Sequence, residues 1–139
     1  MSKTVKDAMT ADPCTIDADQ TVAYAAKMMR DEDVGIAPVV EGQRLVGTLT
    51  DRDIAVRVVA EGRDPQVVKA REVASTELIT VDPQQDLDEA LRLMANHQVR
   101  RLPVVEEDGR VVGVLAQADI AEEAKRKKVG ELVEEISKS

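Results

Sequence analysis

LVGTLTDRDI, residues 45–54, is the most informative segment for the architecture, because the chain carries a second version of it. That version is VVGVLAQADI, residues 111–120. The sequence upstream repeats as well, since TIDADQTVAYAAKMM (15–29) aligns with TVDPQQDLDEALRLM (80–94). Two copies of about 60 residues are too few for a solenoid, which needs at least about three stacked units. We therefore expect the two copies to pack together around one pseudo-symmetric core.

Each copy predicts the same order of elements: strand, helix, strand, strand, helix. An amphipathic helix is indicated in each by apolar residues at i, i+3, i+4 and i+7. These residues are Val22, Ala25, Ala26 and Met29 in the first copy, and Leu87, Ala90, Leu91 and Met94 in the second. A second helix is predicted over 51–61 and from 117 onward, and short lead-in helices are expected at 3–9 and 69–74.

The strands are predicted from short apolar runs. They cover 14–16, 37–40 and 45–49 in the first copy, and 78–81, 102–105 and 111–115 in the second. The last two strands of each copy are joined by EGQR (41–44) and EEDGR (106–110), whose glycines suit tight hairpins. We accordingly divide the chain into a first repeat with its lead-in helix (1–62), a linker (63–69), a second repeat (70–124) and a helical tail (125–139).

The composition restricts the classes of function. A net charge of −8 disfavours non-specific binding of nucleic acid, and one tyrosine without Trp or Phe offers no platform for base stacking. No apolar run reaches the roughly 20 residues that span a bilayer, and the N-terminus lacks the apolar core of a signal peptide. The single cysteine, Cys14, is typical of a reducing compartment. We therefore expect a cytoplasmic protein with no nucleic-acid or membrane partner.

No combination of side chains predicts an enzyme. Cys14 and His97 are single and far apart in the sequence, and no recognisable nucleophile lies beside a base. We interpret His97 as a helix-end residue. The basic run KRKK (125–128) precedes acidic residues, so it is interpreted as part of a solvated terminal helix with charge pairs at i, i+4. Neither a catalytic site nor a metal site is expected.

Three features, in the same order in both copies, resemble a known family. They are the lead-in VKDAMT (5–10) with its weaker echo REVAST (71–76), the PVV strand (38–40 and 103–105), and the pair LVGTLTDRDI and VVGVLAQADI. Over residues 3–122 the chain resembles a tandem pair of CBS domains, the cystathionine-β-synthase-type regulatory module, and in particular the stand-alone prokaryotic pairs. The resemblance implies a mixed α/β (α+β) fold in which two βαββα units pack through their sheets about a pseudo-twofold axis.

The same resemblance implies a function. Many members bind adenosine-containing ligands in clefts between the repeats, including AMP, ADP, ATP, S-adenosylmethionine and dinucleotides such as NAD(H), and two pairs commonly form a disc-like dimer. We therefore expect a regulatory or sensor module with an adenine nucleotide as its ligand and a homodimer as its assembly. The alternative is a ligand-free module that dimerises or docks on a partner protein, such as an enzyme that it regulates.

Thr50 and Asp53 have two compatible interpretations. Thr-x-x-Asp resembles a capping box at a helix start. The family resemblance implies that the Asp53 carboxylate accepts hydrogen bonds from both ribose hydroxyls, while the Thr50 hydroxyl and the backbone of Thr48 and Leu49 lie near a phosphate. A residue that caps a helix can also contact a ligand, so both interpretations stay open.

Residues of the second copy are implied to complete this first cleft. Arg100 and Arg101 match a basic position that reaches the phosphate, which suits the bidentate guanidinium group. The alternative is a pair of surface arginines with weak ion pairs. Ile79 and Val81 match positions that flank the base, and the alternative for them is core packing.

The second, pseudo-equivalent cleft would combine Cys14, Ile16, Gly35 and Ile36 with Ala116 and Asp119. It keeps the carboxylate but has neither the hydroxyl nor the arginines. The prediction is therefore asymmetric: the first cleft binds a phosphorylated adenosine, and the second is empty, weak or selective for an uncharged ligand. Asp119 would then serve mainly at its helix start.

Overall fold

The computed structural model describes residues 3–138, with side chains for 3–126, 128 and 130. Its helices are α1 (Val5–Ala8), α2 (Val22–Glu32), α3 (Asp51–Ile54), α4 (Ala70–Val73), α5 (Leu87–His97) and α6 (Gln117–Lys138). Its strands are β1 (Thr10–Ala11), β2 (Ile16–Asp17), β3 (Ile36–Glu41), β4 (Arg44–Thr50), β5 (Arg101–Val105) and β6 (Val111–Ala116). None of the helices within the described residues is long and apolar enough to cross a membrane.

Each repeat forms its own three-stranded sheet. In the first repeat, β3 lies between β2, to which it is parallel, and β4, to which it is antiparallel. In the second repeat, β6 lies between β5 and β1 and is antiparallel to both. The register sets Ile36 opposite Thr50, and Arg101 opposite Ala116. The predicted site residues Thr50 and Arg101 therefore lie at strand ends.

The lead-in segments are exchanged between the repeats. β1 pairs with β6 of the second repeat, and the N–H of Val5 donates to the carbonyl of Gln85 at 2.8 Å. Conversely, Ser75 follows α4 and shares two backbone hydrogen bonds with Thr48 of β4, at 2.8 and 2.9 Å. Each repeat is thus completed by backbone that precedes the other repeat in the chain.

Two matched glycines permit this exchange. A Cβ on Gly47 would lie 3.0 Å from the carbonyl oxygen of Ser75, and a Cβ on Gly113 would lie 2.9 Å from that of Thr10 and 2.6 Å from the sulfur of Met9. Glycine is the residue that lets another backbone approach so closely. Glycine therefore occurs at both matched positions because a side chain there would collide with the exchanged backbone.

The buried apolar residues form two clusters, one for each repeat. The first cluster joins α2, β3 and β4 and includes Ala70 and Val73 of α4. The second joins α5, β5 and β6 and includes Val5 of α1 together with Val81. The expectation of one common core is wrong, because each small sheet packs against its own helices and against the lead-in helix from the other repeat.

A further connection between the repeats lies at the two hairpin turns. The N–H of Leu45 donates to the carbonyl of Gly109 at 3.0 Å, and the N–H of Val111 donates to that of Gln43 at 3.1 Å. Leu45 matches Val111 and Gln43 matches Gly109 when the copies are aligned. The two bonds are therefore related by a pseudo-twofold axis, as the family resemblance implies.

Some predicted elements differ from the observed ones. Residues 78–81 form no strand, and only Val81 makes an isolated bridge, to Val104, so that strand prediction is wrong. The segment before Val81 instead runs beside the cleft described below, with Glu77 and Ile79 in its lining. The predicted strand 14–16 overlaps β2 at one residue.

The predicted helix over 51–61 is confirmed in part. After α3 the chain continues as a π-helical turn, Ala55–Val59, in which the N–H of Ala60 donates to the carbonyl of Ala55 at 2.9 Å. Gly62, with a φ of 68°, follows its end. This left-handed conformation favours glycine, which explains why the helix stops there.

Candidate ligand-binding cleft

A cleft of about 920 Å³ lies where the two repeats meet. The first repeat contributes Gly35, Ile36, Thr48 and residues 50–53, and the second half of the chain contributes Ser75, Glu77, Ile79 and residues 97–103. Six of the seven residues predicted for the first site line this cleft: Thr48, Thr50, Asp53, Ile79, Arg100 and Arg101. The seventh, Val81, is 2% exposed and lies in the second apolar cluster, the core position that was its alternative interpretation.

Thr50 and Asp53 form a reciprocal cap at the start of α3. The N–H of Asp53 donates to the Thr50 hydroxyl oxygen at 3.0 Å, and the N–H of Thr50 donates to Oδ2 of Asp53 at 2.9 Å. The structural interpretation of Thr-x-x-Asp is therefore confirmed. Both residues are half-buried in the lining of the cleft. A carboxylate has acceptor sites for several hydrogen bonds, so Asp53 can accept more while it caps the helix.

Three arginines line the cleft: Arg52, Arg100 and Arg101. All three are exposed, and none forms an ion pair with any residue whose side chain is described. The left-handed conformation of Gln98, with a φ of 55°, ends α5 just before Arg100 and Arg101. His97 is the last residue of α5, as interpreted from the sequence, and it also lines the cleft. These guanidinium groups are available to an anionic group of a ligand.

Sequence reasoning did not single out Arg52, Ser75 and Glu77. Arg52 could have been found, since it lies inside the Thr-x-x-Asp stretch next to Asp53. Ser75 and Glu77 carry no such signal. They reach this cleft because the lead-in of the second repeat crosses to β4, and no local pattern in the sequence indicates that crossing.

Carboxylates also line the cleft, so its charge is mixed. Asp51 and Glu77 are exposed there, in addition to half-buried Asp53. Oδ1 of Asp51 accepts a hydrogen bond from the N–H of Arg52 at 2.8 Å, and the N–H of Asp51 donates to the carbonyl of Gly35 at 3.0 Å. A ligand for this cleft should therefore combine hydroxyl groups for the carboxylates with an anionic group for the arginines.

Aliphatic residues supply the remaining lining. Ile36, Ile79 and Val99 are half-buried, and Leu102 and Pro103 are buried. Clefts for small ligands are typically apolar with a few polar groups that set the orientation. A flat heterocycle can pack against this aliphatic surface although the chain has no Trp or Phe.

The sequence profile of the CBS domain family matches residues 5–60 and 70–126. This chain belongs to the CBS domain family. It is a tandem CBS pair, as the resemblance implied, and it is 48% identical over 117 residues to the CBS domain-containing protein YhcV of Bacillus subtilis (strain 168). That alignment covers 84% of this chain and 82% of YhcV.

Solved structures confirm the mixed α/β fold of the CBS pair. The crystal structure of Hypoxic Response Protein I with two coordinated zinc ions has a TM-score of 0.80 and 40% identity, and the match covers 86% of this chain and 98% of that one. The CBS domain pair of protein MJ0100 in complex with 5′-methylthioadenosine and S-adenosyl-L-methionine has a TM-score of 0.78 and 25% identity, with 91% of this chain and 99% of that chain covered.

The residues predicted for the second cleft of this CBS pair lie in different surroundings. Ile16 is fully buried in the first apolar cluster, and Gly35 and Ile36 line the first cleft. Oδ2 of Asp119 accepts a hydrogen bond from the N–H of Ala116 at 2.9 Å, so Asp119 keeps the carboxylate half of the cap. Ligand binding at the second site stays a prediction.

Cys14, also predicted for that second site, is an exposed residue near Glu32. Partial desolvation raises the pKa of its thiol, and the negative charge of Glu32 raises that pKa further. A raised pKa disfavours the thiolate, which is the form in which a cysteine acts as a nucleophile. Among the residues with described side chains, no group of three or more His, Cys, Asp and Glu residues is arranged to hold a metal ion.

Proposed function

We propose that this CBS pair is a regulatory module that binds an adenosine-containing ligand, with AMP, ADP or ATP as the preferred class, in the cleft between its repeats. The observation that carries the proposal is that Asp53, Arg101 and Ile79 line one cleft although they come from different repeats. Each offers a different contact: a carboxylate, a guanidinium group and an aliphatic surface. No cofactor is required for this role.

The three contacts match the three parts of an adenine nucleotide. A ribose offers two neighbouring hydroxyl donors to the acceptor oxygens of Asp53. A phosphate offers two oxygens to the fork of Arg101 or Arg100. The adenine ring is flat and largely apolar on its faces, and Ile79 and Ile36 provide an aliphatic slot for it. An adenine nucleotide therefore has a partner for each of these three kinds of contact.

The comparisons support the adenosine part of this ligand. The ligands bound by the MJ0100 pair, 5′-methylthioadenosine and S-adenosyl-L-methionine, share an adenosine group. The preference for a phosphate rests on this chain's own Arg52, Arg100 and Arg101. S-adenosylmethionine and NAD(H) are therefore secondary candidates.

We further infer that the module is a non-catalytic cytoplasmic protein that acts as a homodimer and regulates a partner enzyme. A ligand-free interaction module is the second candidate function. The observation that favours it is a set of exposed apolar residues in the first repeat and the segment after it. Tyr24, Val56, Val59 and Val67 each expose half or more of their surface. Such residues mark interfaces when they form one contiguous patch.

Thermal unfolding with AMP, ATP, S-adenosylmethionine and NAD⁺ tests the proposal. A ligand at 100 times its Kd adds about 2.7 kcal/mol to the free energy of unfolding, which raises Tm by several degrees. Asp53→Ala should remove most of the shift. Asp86→Ala is the matched control, because it also removes a carboxylate that caps a helix, at the start of α5, but lies outside the cleft lining and outside both predicted sites.

Two outcomes would contradict the proposal. If no adenosine compound shifts the wild-type protein, the interaction module becomes the better account of the function. If Asp53→Ala and Asp86→Ala keep equal shifts, a ligand binds but the site lies elsewhere.

A further inference from the structure

Arg57 links the two sides of the cleft without lining it. Its Nε lies 3.9 Å from Oδ1 of Asp53, one turn earlier in the chain. Its Nη1 donates a hydrogen bond to the carbonyl of Val73 at 3.0 Å. One guanidinium group therefore contacts the predicted ribose-binding carboxylate and a backbone carbonyl 16 residues further along the chain.

The Val73 carbonyl lies at the start of the segment that crosses to the cleft. Val73 is the last residue of α4, where helix carbonyls lack an intrahelical partner, and Arg57 satisfies this one. The chain then pairs with Thr48 through Ser75 and continues along the cleft, where Glu77 and Ile79 are part of the lining. Arg57 thus ties Asp53 to the segment that supplies the opposite side of the cleft.

Arg57 belongs to the π-helical turn Ala55–Val59. Such turns insert an extra residue into a helix and are frequent at functional sites. An arginine four residues after an acidic residue lies on the same side of an ordinary helix. The π-turn begins at Ala55, between Asp53 and Arg57.

The second repeat carries the opposite charge at the position equivalent to Arg57. Arg57 aligns with Glu123, four residues after Asp119, as Arg57 follows Asp53. The Glu123 side chain is 12% exposed and lies 3.6 Å from Nζ of Lys3, in the lead-in exchanged from the first repeat. Both positions therefore contact the exchanged lead-in, but with opposite charge. Asp53 has a guanidinium group at this position, and Asp119 has a carboxylate.

We propose that Arg57 is a positioning residue for the ligand site: it orients the Asp53 carboxylate toward the ribose hydroxyls and holds the segment after Val73 in place. The inference rests on the proposed binding of an adenine nucleotide. The N–H of Thr50 holds Oδ2 by a hydrogen bond of 2.9 Å, and the charge of Arg57, with its Nε 3.9 Å away, favours the orientation in which Oδ1 faces it. Each oxygen keeps an acceptor site for one hydroxyl.

A contribution to stability alone does not explain this arrangement. The Arg57 side chain is 53% exposed, and an ion pair in that setting contributes little to the free energy of unfolding. Orientation of a binding group is different, since a carboxylate with a fixed plane loses less rotational freedom when the ligand binds. Arg57 should therefore affect ribose recognition more than folding.

Isothermal titration calorimetry with AMP and 2′-deoxy-AMP tests the inference, because only AMP presents both hydroxyls to Asp53. Wild-type protein should prefer AMP by about tenfold or more, as a lost hydrogen bond to a charged group implies. Arg57→Gln should bind AMP more weakly and reduce that preference to about threefold or less. Arg57→Lys should be intermediate, since one ammonium group cannot reach both partners as the fork does. Glu123→Gln, the matched change in the second repeat, should keep the wild-type values.

Each result decides between the possibilities. If Arg57→Gln keeps the wild-type preference for AMP over 2′-deoxy-AMP, the inference is overturned. This holds also if both affinities fall equally, since Arg57 then acts only in packing. If Arg57→Gln does not fold, Arg57→Lys decides, and a full wild-type preference in that variant overturns the inference. If wild-type protein binds neither nucleotide, the inference fails, whereas the proposed function is decided separately by the ATP, S-adenosylmethionine and NAD⁺ arms of the thermal-unfolding experiment.

Discussion

Thr50 and Asp53 each donate a backbone N–H to the other's side chain, at 2.9 and 3.0 Å. The second repeat keeps only half of this exchange, because the N–H of Ala116 donates to Asp119 at 2.9 Å and alanine has no hydroxyl to accept in return. The carboxylate half is therefore common to both repeats, and the hydroxyl half belongs to the repeat whose helix start lines the cleft. The cap and the candidate ligand site are formed by the same two residues.

The hydroxyl half of the cap should have a measurable effect on stability. Thr50→Ala removes the acceptor for the N–H of Asp53 and should lower the free energy of unfolding by about 1 kcal/mol. Ala116→Thr, which introduces the missing hydroxyl in the second repeat, should raise it by up to about 1 kcal/mol. Urea unfolding of both variants measures the two changes. A Thr50→Ala variant as stable as wild type would show that this hydrogen bond at the helix start contributes nothing.

Arg101 should discriminate the phosphate of the ligand. Arg101→Ala removes a guanidinium group from the cleft, so the affinity for AMP should fall by about tenfold or more, as expected for hydrogen bonds to a charged group. The affinity for adenosine, which has no phosphate, should stay the same. Calorimetry with both ligands measures the difference.

Arg92 offers the control for that measurement. It is an exposed arginine of α5 outside the lining of the cleft, so Arg92→Ala changes the net charge equally without touching the site. An equal loss of AMP affinity in Arg92→Ala and Arg101→Ala would mean that the overall charge of the protein, and no contact in the cleft, governs binding.

The glycines that face the exchanged lead-ins should not tolerate a side chain. Gly113→Ala places a methyl group 2.9 Å from the Thr10 carbonyl oxygen, and backbone cannot move aside as a flexible side chain can. We expect a loss of about 1–3 kcal/mol in the free energy of unfolding. Gly130→Ala is the control, since no atom of its described neighbours lies within 4 Å of the added methyl group. That change should stabilise α6 by up to about 1 kcal/mol. Chemical denaturation measures both free energies of unfolding. If the two variants were equally stable, the exchange of lead-ins would be contradicted.

Acid should weaken the link between α4 and the first repeat. Arg71 donates from Nε to Asp19 at 2.9 Å and lies 2.8 Å from Glu41, and its hydrogen bond lowers the pKa of Asp19 below the ordinary value of 3.8. A carboxyl group whose pKa is lower in the folded protein stabilises the fold above its ordinary pKa, and the effect is lost as the pH falls through the folded value.

Asp19→Asn isolates this contribution. The variant should be less stable than wild type at about pH 6, and the difference should shrink as the pH falls below the ordinary value of 3.8 and through the lowered pKa of the folded protein. Unfolding by urea at several pH values measures it. A difference that stays constant with pH would assign the effect of the substitution to the loss of a hydrogen-bond acceptor and not to the charge of Asp19.

Much of the fold could be predicted because its signals are local. The apolar residues at helical spacing in α2 and α5 and the apolar runs of the two hairpins need no distant contact to be recognised. The alignment of the two copies then predicts equal units, and the hydrogen bonds between the hairpin turns agree with that symmetry. The strand prediction over 78–81 was wrong. A short, mostly apolar run does not show whether a neighbouring strand has unpaired backbone N–H and carbonyl groups for it.

The candidate site could be predicted where one residue type carries one chemical role. Asp53 and Arg101 were found in this way, and both line the cleft. Arg57 could not be found, because its importance lies in two contacts, one to a side chain and one to a carbonyl 16 residues away. Val81 was placed beside the base by analogy with the family, but it is buried in the second apolar cluster, where its backbone bridges to Val104 of β5.

The amino-acid sequence is enough to show that this protein is a duplicated unit, which residues form most of its helices and its hairpins, and which of its two helix starts carries a hydroxyl beside the carboxylate. It takes the folded chain to show that each repeat is closed by the lead-in of the other, that Ser75, Glu77 and Arg52 share a cleft with Asp53, and that Arg57 connects both sides of it. The difference lies in the range of the interactions. Periodicity and capping depend on neighbours within one or two turns, whereas a cleft depends on backbone segments that meet from distant parts of the chain.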